Sequence, residues 1–241
     1  MIVLGRTDTG RVRATNQDAF LCGRLSDEVL YAIVCDGMGG AKGGNVASAI
    51  AVKVMAERIT EGFRENMTAQ SMRYMLESAV AAANVEVFDT AMADEQLRGM
   101  GTTVVAALVC RQEAVIAHVG DSRAYLVTPE AMRQVTTDHS VVQAMVEKGQ
   151  LTESEARVHP RKHFITRALG VENNVECDVN EVTIPEGGQL LICTDGLTNM
   201  VEAEEIRRMI GASAAEDAAD KLIGAANMAG GSDNITVVLF A

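Results

Sequence analysis

The sequence predicts an α+β fold in which two antiparallel β-sheets form a central sandwich and pairs of antiparallel helices cover its outer faces. Two observations support this prediction. Strand-like and helical stretches follow one another in groups, and neighbouring strand-like stretches such as Thr102–Cys110 and Ala114–Val119 are too close for a crossover helix between them. Such closely joined strands pair antiparallel, so the helices are expected outside the sheets.

The individual elements follow from periodicity and composition. Strand-like stretches, rich in β-branched residues and bounded by turn-forming residues, are Asp18–Cys22, Val29–Cys35, Thr102–Cys110, Ala114–Val119, Arg123–Val127, Gln189–Cys193 and Ile235–Phe240. Predicted helices are Asn45–Ile59, Ser71–Met92, Val201–Ile210 and a helix that a capping box of Ser213 and Glu216 opens and that runs through Met228. An apolar stripe at helical spacing along Ser71–Met92 indicates the face that packs into the core.

Length alone fits one large domain or two small ones, but the sequence has no Gly/Ser/Pro-rich linker and no internal repeat, which favours one domain over residues 1–241. Hydrophobic residues make up 48% of the chain and charged residues 22%, with only 3 prolines, which excludes a disordered chain. Residues 138–170 interrupt the alternation of strand groups and helix groups. Asp138 is a predicted helix cap, a short helix ends at Gly149, Thr152 and Glu155 form a capping box, and the sequence HPRKHFITRALG follows. We interpret this segment as an excursion on the surface of the domain.

Charge and hydropathy exclude several classes of function. The net charge of −12 opposes binding to nucleic acids and to anionic lipid surfaces. No apolar run is long enough for a membrane span, and Arg6 interrupts the apolar start too early for a signal peptide core. The five cysteines include no CxxC pair, as expected for reduced core thiols. These features predict a cytoplasmic protein.

Five aspartates lie at the ends of predicted strands. Asp36, Asp121 and Asp195 follow apolar runs, whereas Asp18 and Asp233 precede them. Because the start of one strand adjoins the end of its antiparallel neighbour, all five side chains can meet at one rim. A single Asp-Gly pair is most often a turn, but five aspartates in this position favour a carboxylate cluster.

A carboxylate cluster of this kind needs compensation, since mutual repulsion raises the pKa values of its members. Divalent cations supply it, and a set of oxygen ligands without cysteine or histidine favours Mg²⁺ or Mn²⁺ over Zn²⁺. Two such ions would activate water for a displacement at phosphorus. The glycine-rich stretch from Asp36 to Gly40 lacks the Gly-Lys-Ser/Thr ending of a nucleotide-binding loop. Its predicted role is to bring backbone close to a metal, with the Gly37 carbonyl as a candidate ligand.

Six short motifs, in this order, resemble those of the metal-dependent protein phosphatases of the 2C type. They are Arg13-Ala-Thr-Asn-Gln-Asp18, Asp36-Gly-Met-Gly-Gly40, Gly101-Thr-Thr103, Gly120-Asp-Ser-Arg123, Thr194-Asp-Gly-Leu197 and Ser232-Asp-Asn-Ile-Thr236. The bacterial branch fits best, because Met38 stands where eukaryotic members carry histidine and because HPRKHFITRALG resembles the bacterial flap. The resemblance spans nearly the whole chain and implies the same sandwich, with a flap at about residues 138–170.

The resemblance also implies a site. The implied ligands of two Mn²⁺ or Mg²⁺ ions are Asp36, the Gly37 carbonyl, Asp195 and Asp233. Asp18 would support these ions directly or through water, and Asp121 corresponds to a ligand of a third, weaker ion. Arg13 corresponds to the residue that binds the substrate phosphate, since its planar fork suits two phosphate oxygens. The implied catalytic set is Arg13, Asp18, Asp36, Asp195 and Asp233.

The implied activity is hydrolysis of phosphoserine and phosphothreonine in proteins by water activated at two metals, in opposition to a bacterial Ser/Thr kinase. Several positions depart from the family. Gln17 stands where glutamate is common, Ala41 and Asn45 replace the histidine and glutamate common in bacterial members, and the flap reads Lys-His-Phe at 162–164 where asparagine usually occurs. Met38 also leaves the site without the histidine that is the usual acid. His118 alternates with apolar strand residues, which favours a packed histidine over a catalytic one.

Two alternatives remain open from the sequence. One is a catalytically silent module that binds phosphoproteins, against which the intact Asp36, Asp195 and Asp233 argue. The other is a regulatory phosphatase of anti-sigma or anti-anti-sigma proteins, which shares the chemistry but is expected with an attached sensor domain, and these 241 residues predict none.

Overall fold

The computed structural model has four layers in the order helix, sheet, sheet, helix, which confirms the predicted α+β sandwich. It describes the backbone of residues 1–241 and every side chain except those of residues 41 and 42. The strands, numbered along the chain, are β1 (Val3–Asp8), β2 (Asp18–Arg24), β3 (Val29–Met38), β4 (Gly101–Thr102), β5 (Val104–Cys110), β6 (Glu113–Val119), β7 (Arg123–Val127), β8 (Met132–Gln134), β9 (Asp178–Thr183), β10 (Gln189–Cys193) and β11 (Ile235–Phe240).

Strand pairing is antiparallel throughout the described chain. One sheet has the order β1-β11-β10-β7-β8, and the other has the order β2-β3-β5-β6-β9 with β4 also paired to β3. Leu30, Val105 and Ile192 are among the apolar side chains buried between the two sheets. This inner core fixes the two sheets face to face, so the rim of one lies beside the rim of the other.

The helices are α1 (Gly40–Gly62), α2 (Ala69–Ala93), α3 (Val141–Glu147), α4 (Glu153–Val158), α5 (Asp195–Thr198), α6 (Ala203–Gly211) and α7 (Ala215–Met228), with a single 3-10 turn at Glu95–Leu97. Helices α1 and α2 cover the β3-containing sheet, and α5 to α7 cover the β11-containing sheet. The predicted apolar stripe of α2 is buried in the first of these cores, including Met72, Leu76 and Val87.

The sequence missed three strands and misassigned two helix caps. Strands β1, β8 and β9 are partly exposed and polar, so they lack the apolar runs that mark the central strands. Ser140, not Asp138, caps α3, because Asp138 pairs with Arg123 instead. The predicted capping box at Ser213 is wrong, since Ala214 is the N-cap of α7 and makes no side-chain cap.

The surface excursion at residues 138–170 contains α3 and α4. The predicted capping box at Thr152 and Glu155 is present at the start of α4. The excursion is joined to the sandwich by backbone bridges from Ser140 to Ile165 and from Thr102 to Leu169. None of the helices described is long and apolar enough to cross a bilayer.

Candidate metal centre

The register of β2 and β3 places two of the predicted aspartates side by side. Asp18, the first residue of β2, lies directly opposite Asp36 near the end of β3. Directly opposed residues of an antiparallel pair project to the same face with Cβ atoms about 5 Å apart. Two carboxylates are therefore neighbours at this rim, although Asp36 lies inside β3 and not just after it as the sequence predicted.

The Asp18 carboxylate joins the two sheets. Its Oδ2 accepts hydrogen bonds from the hydroxyls of Thr194 (2.9 Å) and Thr236 (2.6 Å), which belong to the opposite sheet and its rim. Its Oδ1 is buried and has no hydrogen-bond partner among the described residues. Burial, together with the charges of Asp195 and Asp233, raises the pKa of Asp18 to about 7 against the opposing effect of the two threonine bonds. One oxygen of this carboxylate therefore has hydrogen-bond donors, and the other is available to a ligand such as a cation.

Asp36 is held by its backbone rather than by its side chain. Its N–H donates to the Thr103 hydroxyl, and its carbonyl accepts from the Thr102 hydroxyl and the Thr103 N–H, at 2.9–3.0 Å. Burial raises the pKa of Asp36 well above its usual value. The charges of the other four predicted aspartates add to this increase, in the order Asp18, Asp195, Asp121 and Asp233. The other four carboxylates are thus close enough to act on Asp36, and we call the five aspartates the rim carboxylates.

Asp195 and Asp233 complete the rim from the β11-containing sheet. Asp195 is the first residue of α5, and its Oδ2 accepts from the Asn199 side chain at 2.8 Å. Asp233 precedes β11, and its Oδ2 accepts from the Arg13 guanidinium at 2.8 Å. Both side chains are reachable from solvent, at 17% and 30% exposure, so the rim opens outward.

The loop that carries Arg13 is fixed by Asn234. The Asn234 amide donates to the carbonyls of Thr9 and Thr15 at 2.9 and 3.0 Å, and its side-chain oxygen accepts from the Gln17 N–H at 2.8 Å. Arg13 itself is half exposed and uses one N–H on Asp233. The remaining N–H groups of its fork are available for an anion above the rim.

Asp121 lies in the loop between β6 and β7. Burial, together with the charges of Asp195 and Asp138, raises its pKa to about 7 against the opposing effect of Arg123. Arg123 forms a bidentate ion pair with Asp138 at 2.6–3.1 Å. Asp121 thus has a cationic neighbour whose charge is already shared with another carboxylate.

Two glycines allow α1 to start against the rim. A Cβ at Gly37 would lie 2.0 Å from the Gly44 carbonyl oxygen, and a Cβ at Gly44 would lie 2.6 Å from the Gly37 oxygen. Strand β3 and the first turn of α1 therefore pack backbone against backbone. This fits the predicted role of the glycine-rich stretch, which is to bring main-chain oxygens close to the carboxylates.

The rim fits divalent cations on its own chemistry. It offers carboxylate oxygens, a buried Asp18 oxygen without a hydrogen-bond donor, and mutual repulsion that burial strengthens. Hard cations prefer oxygen ligands, can bind the Asp18 oxygen that lacks a donor, and compensate the repulsion between the carboxylates.

Some features of the site were not predicted. Thr194 and Thr236, whose hydroxyls hold Asp18, lie within two of the six motifs, but no local pattern predicts that these hydroxyls bind that carboxylate. His163 of the flap places its Nδ1 3.9 Å from Asp195 Oδ2, and this contact raises the pKa of His163. Gln17 donates to the Gly40 carbonyl at 2.8 Å. His118 is packed as predicted, with Nε2 donating to the Thr137 carbonyl at 2.8 Å.

Comparison with known proteins identifies a consistent set of relatives. The profile of the family described as Protein phosphatase 2C matches residues 9–227. The chain is 41% identical to the serine/threonine phosphatase stp of Listeria innocua, over 97% of this chain and 93% of that protein. It is 36% identical to the protein phosphatase PhpP of Streptococcus pneumoniae, over 97% of this chain and 94% of that protein.

Solved structures agree with this assignment. The serine/threonine phosphatase Stp1 from Staphylococcus aureus superposes with a TM-score of 0.93 at 34% identity, covering 98% of this chain and 93% of that chain. The Mycobacterium tuberculosis serine/threonine phosphatase PstP/Ppp gives a TM-score of 0.88 at 33% identity, covering 99% and 97%. The similarity therefore extends over nearly the entire fold.

Proposed function

This chain belongs to the protein phosphatase 2C family and is a metal-dependent serine/threonine protein phosphatase, and we propose that its rim carboxylates hold two Mn²⁺ or Mg²⁺ ions. The buried, unpartnered Oδ1 of Asp18, directly opposite Asp36, is the observation that supports this proposal most strongly. A buried carboxylate oxygen to which no group of the chain donates is costly unless a cation compensates it.

We assign roles to the rim residues as follows. The proposed ligands of the two ions are Asp36, the Gly37 carbonyl, Asp195 and Asp233, with Asp18 in support and Asp121 at a third, weaker site. When bound, the ions supply Lewis acidity and lower the pKa of water at the phosphoryl group. The chain supplies the fixed array of oxygens, and Thr194 and Thr236 hold Asp18 in the orientation that leaves its Oδ1 free.

Arg13 binds the phosphate of the substrate. Its bond to Asp233 keeps the guanidinium beside the rim, and the N–H groups that this bond does not use remain available to donate to phosphate oxygens. With a net charge of −12, the protein surface repels an anionic substrate. The positive charge of Arg13 offsets this repulsion locally, at the place where the phosphate binds.

We further propose that the substrates are phosphoserine and phosphothreonine proteins, including those phosphorylated by a cognate Ser/Thr kinase. The proposed catalytic unit is a single domain over residues 1–241, with residues 138–170 as a flap beside the rim. A cytoplasmic location fits the five cysteines, all of which are free thiols.

The test is hydrolysis of p-nitrophenyl phosphate and of a phosphothreonine peptide by the purified protein, with Mn²⁺, with Mg²⁺ and with a chelator. We expect turnover with the metals and background with the chelator. A protein that binds the phosphopeptide without hydrolysing it under any of these conditions would instead be the silent binding module.

A further inference from the structure

A second polar cluster lies behind the rim, between the flap and the loop that carries Asp121. Its members are His118, His139, Asp178 and Arg167. The first two are buried, and the last two reach the surface. The proposed catalytic steps use none of these residues.

The cluster has the composition of a cation site but not the geometry of one. One potential ligand atom from each of His118, His139 and Asp178 lies within 4.8 Å of the others. However, the two imidazole rings stack at 4.5 Å with 24° between their planes, and an imidazole binds a metal in its ring plane. Arg167 also already donates to Asp178 at 2.9 Å, which places a cation there. The cluster is better explained as a hydrogen-bonded chain.

His139 forms hydrogen bonds with both the backbone N–H and the backbone carbonyl of Gly120. Its N–H donates to the Gly120 carbonyl at 2.8 Å, and its Nδ1 accepts from the Gly120 N–H at 3.1 Å. Gly120 has φ +109°, and a Cβ there would lie 2.6 Å from Thr103, so this residue has a single tight conformation. The next residue is Asp121.

The hydrogen bonds of His139 define its tautomer. Since Nδ1 accepts from a backbone N–H, the ring proton is on Nε2. That atom lies 3.3 Å from Asp178 Oδ2, which can accept from it, and 3.1 Å from Nη1 of Arg167, which can only donate. With the proton on Nε2, Arg167 therefore donates to the other oxygen of Asp178, at 2.9 Å, and not to the imidazole. The flap backbone adds a bond from the Thr166 N–H to the His139 carbonyl at 2.8 Å. A continuous chain of contacts therefore runs from the base of the flap to Gly120.

We propose that His139 is a positioning residue for Asp121, which it sets by bonding both backbone polar atoms of Gly120, and that Asp178, itself held in place by Arg167, keeps the imidazole in the required tautomer. This inference rests on the proposed function only in the role given to Asp121. Two other contacts hold the far side of the same loop, from Thr103 to the Ser122 hydroxyl and from Asp138 to Arg123. The backbone on both sides of Asp121 is thus fixed.

The first test needs no activity. In ¹⁵N-labelled wild-type protein, NMR should show His139 with an unprotonated Nδ1 and a protonated Nε2, and the Gly120 amide should be strongly protected from hydrogen exchange. A proton on Nδ1, or a freely exchanging Gly120 amide, overturns the proposal whatever the enzyme does.

The second test separates positioning from general stability. His139→Ala removes the acceptor for the Gly120 N–H, whereas His139→Asn keeps an acceptor at the place of Nδ1. We expect kcat to fall about tenfold or more in His139→Ala with little change in KM, and His139→Asn to recover most of it. Asn84→Ala is the control, since Asn84 is a buried polar residue whose hydrogen bonds go to Gly170, Glu172 and Asn173 and not to His139 or residues 120–123. It should lose stability and keep its kcat.

A double-mutant cycle identifies the residue through which His139 acts. In an Asp121→Ala background, His139→Ala should cause no further loss of kcat and no further shift in the Mn²⁺ affinity measured by calorimetry. Additive losses overturn the proposal, and so does a full effect of His139→Ala when Asp121→Ala alone has none. Should His139→Ala fail to fold, Asp178→Ala with the NMR readout tests the same chain, and an unchanged tautomer there contradicts the role given to Asp178.

Discussion

Two groups of carboxylates at one edge of the sandwich differ in how their charge is compensated. The supporting pair, Asp138 and Asp178, each accept hydrogen bonds from an arginine of the chain, Arg123 and Arg167 respectively. Among the described side chains, the five rim carboxylates form one ion pair with an arginine, Arg13 with Asp233, and Arg123 acts on Asp121 only while it is paired with Asp138. The supporting pair therefore completes its charge balance on folding, whereas the rim, in the proposed function, completes it by binding cations. This difference distinguishes Asp138 and Asp178, which stabilise the surrounding structure, from the rim carboxylates, which are the proposed metal ligands.

The largest expected effect comes from removing a rim ligand. Asp195→Ala should abolish metal-dependent turnover and weaken metal binding, because the carboxylate is a proposed ligand of the two metal ions. Asp121→Ala should reduce turnover and leave these two metal ions bound. Phosphatase assays and calorimetric titration with Mn²⁺ measure both effects. Two ions retained in a crystal of Asp195→Ala would contradict the ligand assignment.

The same substitution should change stability in opposite directions in the two groups. Asp138→Asn leaves the partly buried Arg123 without its anion and should destabilise the protein by about 2–3 kcal/mol. Asp18→Asn removes a buried carboxylate that its neighbours repel and should stabilise the metal-free protein. Urea unfolding in the presence of a chelator measures both. Destabilisation of equal size in the two variants would remove the distinction between the groups.

The pH dependence of the metal-free protein sharpens the comparison. The pKa of Asp18 is raised to about 7 in the folded chain, so between about pH 4 and pH 7 the unfolded chain releases a proton that the folded chain keeps. Folding stability from this group is complete below pH 4 and is lost as the pH rises through 7. The stability advantage of Asp18→Asn over wild type should therefore grow across that interval in thermal melts. An advantage that is constant with pH would show that Asp18 ionises normally.

The smallest effect on stability is expected at Arg13. Its ion pair with Asp233 is exposed, so Arg13→Ala should change the free energy of unfolding by less than about 1 kcal/mol. The KM for p-nitrophenyl phosphate should rise by about tenfold, because a charge-assisted bond to the phosphate is lost. Arg13→Lys is the matched variant, since it keeps the charge but not the fork. Full recovery by lysine would argue against bidentate binding.

The sequence predicts the rim better than its support, for a physical reason. Aspartates at the ends of apolar strands are local patterns, and antiparallel pairing then brings Asp18 and Asp36 together. The bonds of Thr194 and Thr236 to Asp18 cross between two sheets, so they depend on how the sheets pack. The clamp of His139 on Gly120 joins residues from two separate loops. Asp138 and Ser140 are both good helix caps, and only the distant Arg123 decides between them.

The backbone contact between Gly37 and Gly44 limits which sequences can carry this site. Since even a methyl group at either position would collide with a carbonyl oxygen, a library randomised at both should return active clones with glycine at each. We therefore expect sequence change to be tolerated least at this junction, where the main chain of β3 packs directly against that of α1.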